Sequence, residues 1–361
     1  MKCLLGCSNV MESHRPYLAM LLVQSVYAGM ALFSKAAVAK GMNPFVFVVY
    51  RQAFASIALA PFALFLERKK VAPLSYNVIF RIFLVSLCGL TLSLNLYYIA
   101  IKYTTATLAA ATTNTIPAIT FVMAILLRME IISIKNVPGI AKIVGSAMGF
   151  SGALVFAFVK GPPVSFMEWN HTIHGPAQGT SVKGSASSEW IKGCLIMLSA
   201  NTLWSLWLVL QGPLVKQYPA KLRLTALQCF FSFMQSAFWA IAVERNPSAW
   251  KLGWDANLLS VAYCGVIVNG ITYWLQVWAV EKKGPVFTAM FTPLALIITV
   301  IFSVCFWKET PHWGSIGADI LLVGGLYCVL WGKSKEEGKS VALEQNAETK
   351  EQVTLECITH Q

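Results

Sequence analysis

Charge is what this sequence lacks most. Only 12% of its 361 residues are Asp, Glu, Lys or Arg, against 57% hydrophobic, and the mean hydropathy is +0.62. A soluble domain carries about a quarter charged residues, so this composition excludes a water-soluble globular fold. Acids are scarcer than bases (16 against 28) and almost absent from the apolar runs. Asp319 is the exception; Glu67, Glu130, Glu281 and Glu309 stand at run ends beside basic residues. Proton-coupled carriers usually keep a buried carboxylate, so this scarcity favours facilitated or potential-driven movement, with Asp319 the one group placed to act otherwise. The five histidines (His14, His171, His174, His312 and His360) lie outside the runs or at their ends. No Ser/His/Asp set, H-E-x-x-H or inward carboxylate pair can be assembled, and an enzyme is not expected. The nine cysteines form no C-x-x-C and no zinc spacing, so no metal or other cofactor is expected. Six of them lie in apolar runs as packing residues. Cys3 and Cys7 read equally as acylation sites or as free thiols.

What is present is a series of apolar runs long enough to cross a bilayer, which takes roughly 17–25 residues. They fall at Tyr17–Ala39, Pro44–Leu66, Ile79–Ile101, Thr104–Leu127 and Pro138–Val159, then at Trp190–Gln211, Leu222–Val243, Ala256–Val280, Pro285–Trp307 and Trp313–Trp331. The sequence thus predicts an all-α polytopic membrane protein of ten transmembrane helices. It divides into an N-terminus (1–16), a first half (17–159), a polar loop (160–189), a second half (190–331) and a polar tail (332–361). The net charge of +12 sits in short clusters between runs. That is the pattern of positive-inside topology, so the expected partners are the lipid bilayer and a small solute, with no nucleic acid. With both termini cytosolic, inner connections carry eleven Lys and Arg against eight outside. Asn170, in the sequon Asn170-His171-Thr172, then falls in the outer loop as a glycosylation candidate.

Five runs, a loop and five more runs repeat internally. Arg51 leads to Glu67-Arg68 as Gln228 leads to Glu244-Arg245. Thr105 to Glu130 matches Gly284 to Glu309, and each stretch holds one proline, Pro117 or Pro293, read as mid-helix and three positions apart in that alignment. Gly145 and Gly152 match Gly317 and Gly324. An odd number of runs per copy forces opposite insertion, giving a 5+5 inverted repeat with a solute site between the halves.

Polar side chains at membrane depth are costly unless they face protein or water, and here they form stripes. The eighth run carries Asn269, Thr272, Tyr273 and Gln276 on one helical face. The sixth carries Asn201, Trp204 and Gln211; the seventh Gln228, Ser232, Gln235 and Trp239. The first has Gln24 and Lys35, the third Thr91, Asn95 and Tyr98, the fourth Asn114 and Pro117. Any one stripe reads as well as interhelical glue, but six together point to a shared cavity, with Pro117 and Pro293 freeing backbone carbonyls toward it. Arg51, about seven residues inside the second run, is positioned to meet a solute carboxylate, whereas Lys35 is placed to reach the interface.

The strings "YRQAFASIALAPFALFLERKK", "GLTLSLNLYYIAIKYTTATLAAATTNTIPAITF", "RMEIISIKNVPGIAKIVGSAMGFSGALVF" and "GGLYCVLWGK" resemble the plant nodulin-21-like, EamA-type branch of the drug/metabolite transporters. These are the Walls Are Thin-related proteins, also called Usually Multiple Acids Move In and Out Transporters. The resemblance runs from about Glu12 to Lys333. It implies two inverted EamA repeats of five helices, a plant source, and export or bidirectional movement of amino acids, with auxin carried by some relatives. It also implies the plasma membrane, or else the tonoplast.

Overall fold

The computed structural model describes residues 14–30, 42–67, 74–103, 112–130, 136–158, 186–253, 256–307, 313–314 and 316–336. Asn170, Lys35, Glu309, most of the 160–189 loop and the tail beyond 336 lie outside them. The described residues form helices and one short 3₁₀ turn, and no strand. In chain order these are α1 (14–30) and α2 (Pro44–Leu66). α3 runs Tyr76–Ser86, a π-helical stretch Leu87–Leu92 and Ser93–Tyr103. α4 (Ile116–Leu126), α5 (Val137–Phe158), α6 (Ala186–Gln217) and α7 (Lys221–Val243) follow. α8 runs Ala256–Ala262, a π-helical stretch Tyr263–Thr272 and Tyr273–Lys283. α9 is Pro285–Met290 and Thr292–Trp307, and α10 ends in Ile316–Glu336.

Seven of these helices are long and apolar enough to cross a membrane, and Ile116–Leu126 and Pro285–Thr299 are shorter apolar helices. The bundle is polar inside and apolar outside. Arg51, Gln52, Gln211, Gln228 and Asn269 are buried, while Ile57, Phe65, Leu66 and Phe238 are more than 70% exposed. Water would penalise that distribution twice; hydrocarbon favours it. The protein is an integral, multi-pass membrane protein.

α2 and α7 lie against each other and run antiparallel. Pro44 starts α2, where its fixed φ suits a helix and its missing N–H costs nothing, and Asn43 Oδ1 caps Phe45 N at 2.9 Å. At the far end Glu67 accepts from Leu222 N (3.1 Å) and Arg223 N (2.9 Å), the otherwise unpaired donors of the first turn of α7. Glu244, at the end of α7, accepts from Asn43 Nδ2 at 2.6 Å. One core cluster joins α2, α3, α6, α7 and α8 around Trp207, Tyr218 and Tyr273. A second joins α1, α4, α9 and α10 around Met20, Phe121, Phe287 and Phe291.

Two expectations are corrected here. Pro117 and Pro293 are not mid-helix. α4 is interrupted at Asn114–Thr115 and α9 at Phe291, and each proline stands in the first turn of the helix that restarts. Neither frees a carbonyl inside a continuous helix. Nor are the prolines offset by a turn. Pro117 to Pro293 and Cys88 to Cys264 are each 176 residues apart, and both Cys-Gly pairs lie in the π-helical stretches, so the breaks and the π segments share one register. Gly145 and Gly152 both lie at the close contact of α5 with α10. An added Cβ on Gly145 would lie 2.6 Å from Gly325 O, and one on Gly152 3.1 Å from Ala318 O, whereas Gly317 touches nothing within 4 Å.

Candidate functional site

The polar centre forms where α2 and α8 meet. Gly265, in the π segment of α8, lets the two backbones approach. A Cβ there would sit 2.5 Å from Phe54 Cβ and 2.7 Å from Arg51 O. The wider π turn that follows carries Asn269 to Arg51, whose Nη2 donates to Asn269 Oδ1 at 2.5 Å and lies 3.8 Å from the Met30 sulfur. Arg51 is 2% exposed. Its Nε has no partner, and neither does Asn269 Nδ2. The titratable groups around the guanidinium among the described residues are Tyr273, Tyr98, Cys264 and Tyr27, phenols and a thiol. Among the described residues this permanently charged guanidinium meets no carboxylate, an arrangement that costs several kcal/mol unless an anion arrives.

Two further walls complete the centre. Tyr27 of α1 places its hydroxyl beside the Thr272 and Gln276 side chains and near Arg51; Gln276 Oε1 and the Tyr273 hydroxyl are buried and unpaired. Trp204 stacks on Trp207 with ring centroids 5.0 Å apart at 26°, and Tyr273 lies 5.6 and 5.4 Å from the two indoles. Trp207 is fully buried and fits only because α3 has a glycine opposite, an added Cβ at Gly89 falling 2.3 Å from Trp207 Cβ.

Gln228, the repeat counterpart of Arg51, has the opposite character. It exchanges two hydrogen bonds with Gln211, at 3.2 and 3.3 Å, and accepts a third from Trp207 Nε1 at 3.2 Å. An amide pair with the oxygen and nitrogen of both partners engaged is a lock between α6 and α7.

The predicted site residues therefore separate. Arg51, Asn269, Tyr273, Gln276 and Trp204 come together. Gln24 is buried on α1 one turn from Tyr27. Asn201 serves the α4 break, donating to Thr112 O at 2.7 Å, and Asn114, in that break, has an unpaired Nδ2; Pro117 and Pro293 follow the two breaks. Asn95 donates to Thr91 O at 2.7 Å and lines a groove of about 440 Å³ between α3 and α7 with Thr91 and Gln235. Sequence reasoning missed Tyr27 and Trp207. Tyr27 precedes Ala28 on the same apolar run as Gln24, and Trp207 is one turn from both Trp204 and Gln211, so their spacing was the available signal. Among the described residues no three His, Cys, Asp or Glu side chains converge on a metal position.

At one end of the bundle a chain of ion pairs ties α4, α5 and α10. Glu130 pairs with Lys333 and, at 3.2 Å, with Lys142, and Lys142 also pairs with Glu336. Burial pushes the Glu130 carboxyl up, but Lys333 and then Lys142 outweigh it and hold the group below the ordinary carboxylate range. Lys221 pairs with Glu281 at the same end. Gly284 turns the chain from α8 to α9 there with φ +88°, a backbone favouring glycine.

The profile of the EamA-like transporter family matches residues 14–156 and 191–331. Two WAT1-related proteins of Arabidopsis thaliana are 58% and 51% identical over 328 and 334 residues. Each alignment covers 91% of this chain, with 94% and 93% of the relatives. A crystal structure of a protein only 18% identical superposes with a TM-score of 0.64, covering 88% of this chain and 98% of the other, and so shares the fold. The chain belongs to the EamA-like transporter family, in its WAT1-related plant branch. It is a membrane transporter of a small solute.

Proposed function

We propose that this transporter moves amino acids, by export or bidirectional facilitation, through alternating access of ten membrane-spanning helices arranged as a 5+5 inverted repeat. The single observation that carries the solute assignment is a pair of open valences of opposite kind. Arg51 Nε is a buried donor with a formal positive charge, and Gln276 Oε1 is a buried acceptor; neither has a partner, and Tyr27 faces both residues. An α-amino acid supplies a carboxylate for the first and an ammonium for the second. Trp204 and Tyr273 bound its side chain. Burial of every one of these polar groups fits an occluded conformation, in which only a rocking of the halves admits solute.

The inverted repeat is supported by the exchange of Glu67 and Glu244 across α2 and α7, and by the matching π segments and breaks. In this reading both termini are cytosolic, Asn170 is extracytosolic, and the plasma membrane is the site of action, with the tonoplast second. The test is uptake of radiolabelled glutamine into proteoliposomes. Arg51→Ala and Gln276→Ala each lower the rate about tenfold or more, the loss of one charge-assisted hydrogen bond being about 1.5–3 kcal/mol; unchanged rates in both would refute the site.

A second reading rests on the aromatic wall. The stacked Trp204–Trp207 pair under Tyr273 suits the ring of an aromatic monocarboxylate such as an auxin, with the same contact to Arg51. Competition of glutamine uptake by indole-3-acetate and by a panel of amino acids separates the two.

A further inference from the structure

We propose that Asn269 sets the charge selectivity of the transporter: by presenting an amide where a carboxylate would fit, it leaves Arg51 uncompensated. The site then takes amino acids of zero or negative net charge and excludes those with a cationic side chain. This rests on the reading of the site as an amino-acid site.

The geometry is specific. Arginine is a donor only, so the atom facing it at 2.5 Å is Asn269 Oδ1 and the Nδ2 group faces away, buried and unpaired. Asn269 and Arg51 thus each keep one open donor, Nδ2 and Nε. An aspartate of the same shape would instead close an ion pair with Arg51, removing both the field and one donor. No other acid offsets the charge from nearby among the described residues. Asp319 lies on α10 between Ala318 and Leu322, which pack on Gly152 of α5, and it is not among the groups facing Arg51. Glu67, Glu130, Glu244 and Glu281 are engaged at the helix ends.

The consequence follows from Coulomb's law. The carboxylate of any amino acid gains from Arg51, but a second cation held about 7 Å from the guanidinium, at an effective dielectric of about 20, loses about 50-fold in binding. A neutral amide side chain loses nothing. An anionic one gains, less the cost of its own desolvation.

The experiment measures initial uptake of radiolabelled glutamine, glutamate and arginine into proteoliposomes holding wild type, N269D or N269A. The wild type is expected to take up glutamine and glutamate and to move arginine about 50-fold more slowly. N269D loses glutamate uptake, and its arginine-to-glutamine ratio rises about tenfold or more. N269A slows all three solutes yet keeps the wild-type ratio, because it removes hydrogen bonds without changing charge. Wild-type arginine uptake equal to that of glutamine overturns the proposal while leaving the amino-acid reading intact, as does an equal change of ratio in N269A and N269D. A wild type that moves none of the three overturns both. If N269D does not elute as folded protein on size exclusion, Arg51→Gln serves as the second arm, since removing the charge from the other side must raise the same ratio; no rise refutes the idea.

Discussion

Glu67 and Glu244 close α2 and α7, and each reaches across to the beginning of the other helix, Glu67 to the Leu222 and Arg223 amides and Glu244 to the Asn43 side chain. The two acids hold equivalent places in the sequence repeat, so one antiparallel helix pair is pinned at both ends by the same device used twice.

That device predicts unequal costs. Glu67→Gln weakens two charge-assisted bonds to helix amides and should cost about 1–2 kcal/mol. Glu244→Gln also weakens two bonds, from Asn43 Nδ2 and from the exposed Asn246 N, but neither closes the first turn of a helix, so it should cost about half as much. Thermal unfolding of both variants in nanodiscs checks the order; a larger loss for Glu244→Gln would contradict it.

Gly265→Ala tests the approach of α2 and α8. The new methyl group meets the Arg51 carbonyl and Phe54 Cβ inside 3 Å, both on a packed helix that cannot give locally. A loss of about 1–3 kcal/mol is expected, together with reduced glutamine uptake, because Arg51 is displaced with its backbone. Full activity in a destabilised G265A would separate packing from the site.

The Gln211–Gln228 pair should behave non-additively. Either single change to Leu strands a buried amide and costs about 1–3 kcal/mol. The double change removes both partners and leaves only Trp207 Nε1 unpaired, so it should cost less than the two singles summed. A strictly additive cycle in chemical or thermal unfolding would show that the pair is not coupled.

Glu130 carries a pH signature. Its carboxyl is held below the ordinary range, so the protonated form is disfavoured in the folded state. The resulting stability is fully present above about pH 4.5, the ordinary glutamate range, and is lost as pH falls through the depressed folded value. Glu130→Gln should therefore lower the unfolding temperature at pH 7, by about 2 kcal/mol of stability, and the gap from wild type should close toward pH 3. A gap of the same size at both pH values would mean that the ion pairs with Lys142 and Lys333 contribute nothing.

The amino-acid sequence by itself determined that this chain lives in lipid, because 57% hydrophobic and 12% charged residues cannot be covered in water. Periodicity alone also placed Asn269, Thr272, Tyr273 and Gln276 on one face, since helical spacing is a local property. The grouping of those residues with Arg51, 218 positions earlier, was only suggested by the stripes. Which stripes are open and which are saturated depends on partners from other helices. Gln228 and Arg51 look alike as polar residues inside apolar runs, yet the fold engages both the oxygen and the nitrogen of the first through Gln211 and Trp207 and leaves the second with an unpaired Nε. Asn201 is likewise absorbed by the broken start of α4. The breaks themselves were misplaced because a proline signals the same local cost whether it kinks a helix or restarts one, and only the carbonyls and amides of Thr112, Thr115 and Phe291 show which. Local composition fixed the solvent and the helices; tertiary packing decided where a charge was left without its counterion.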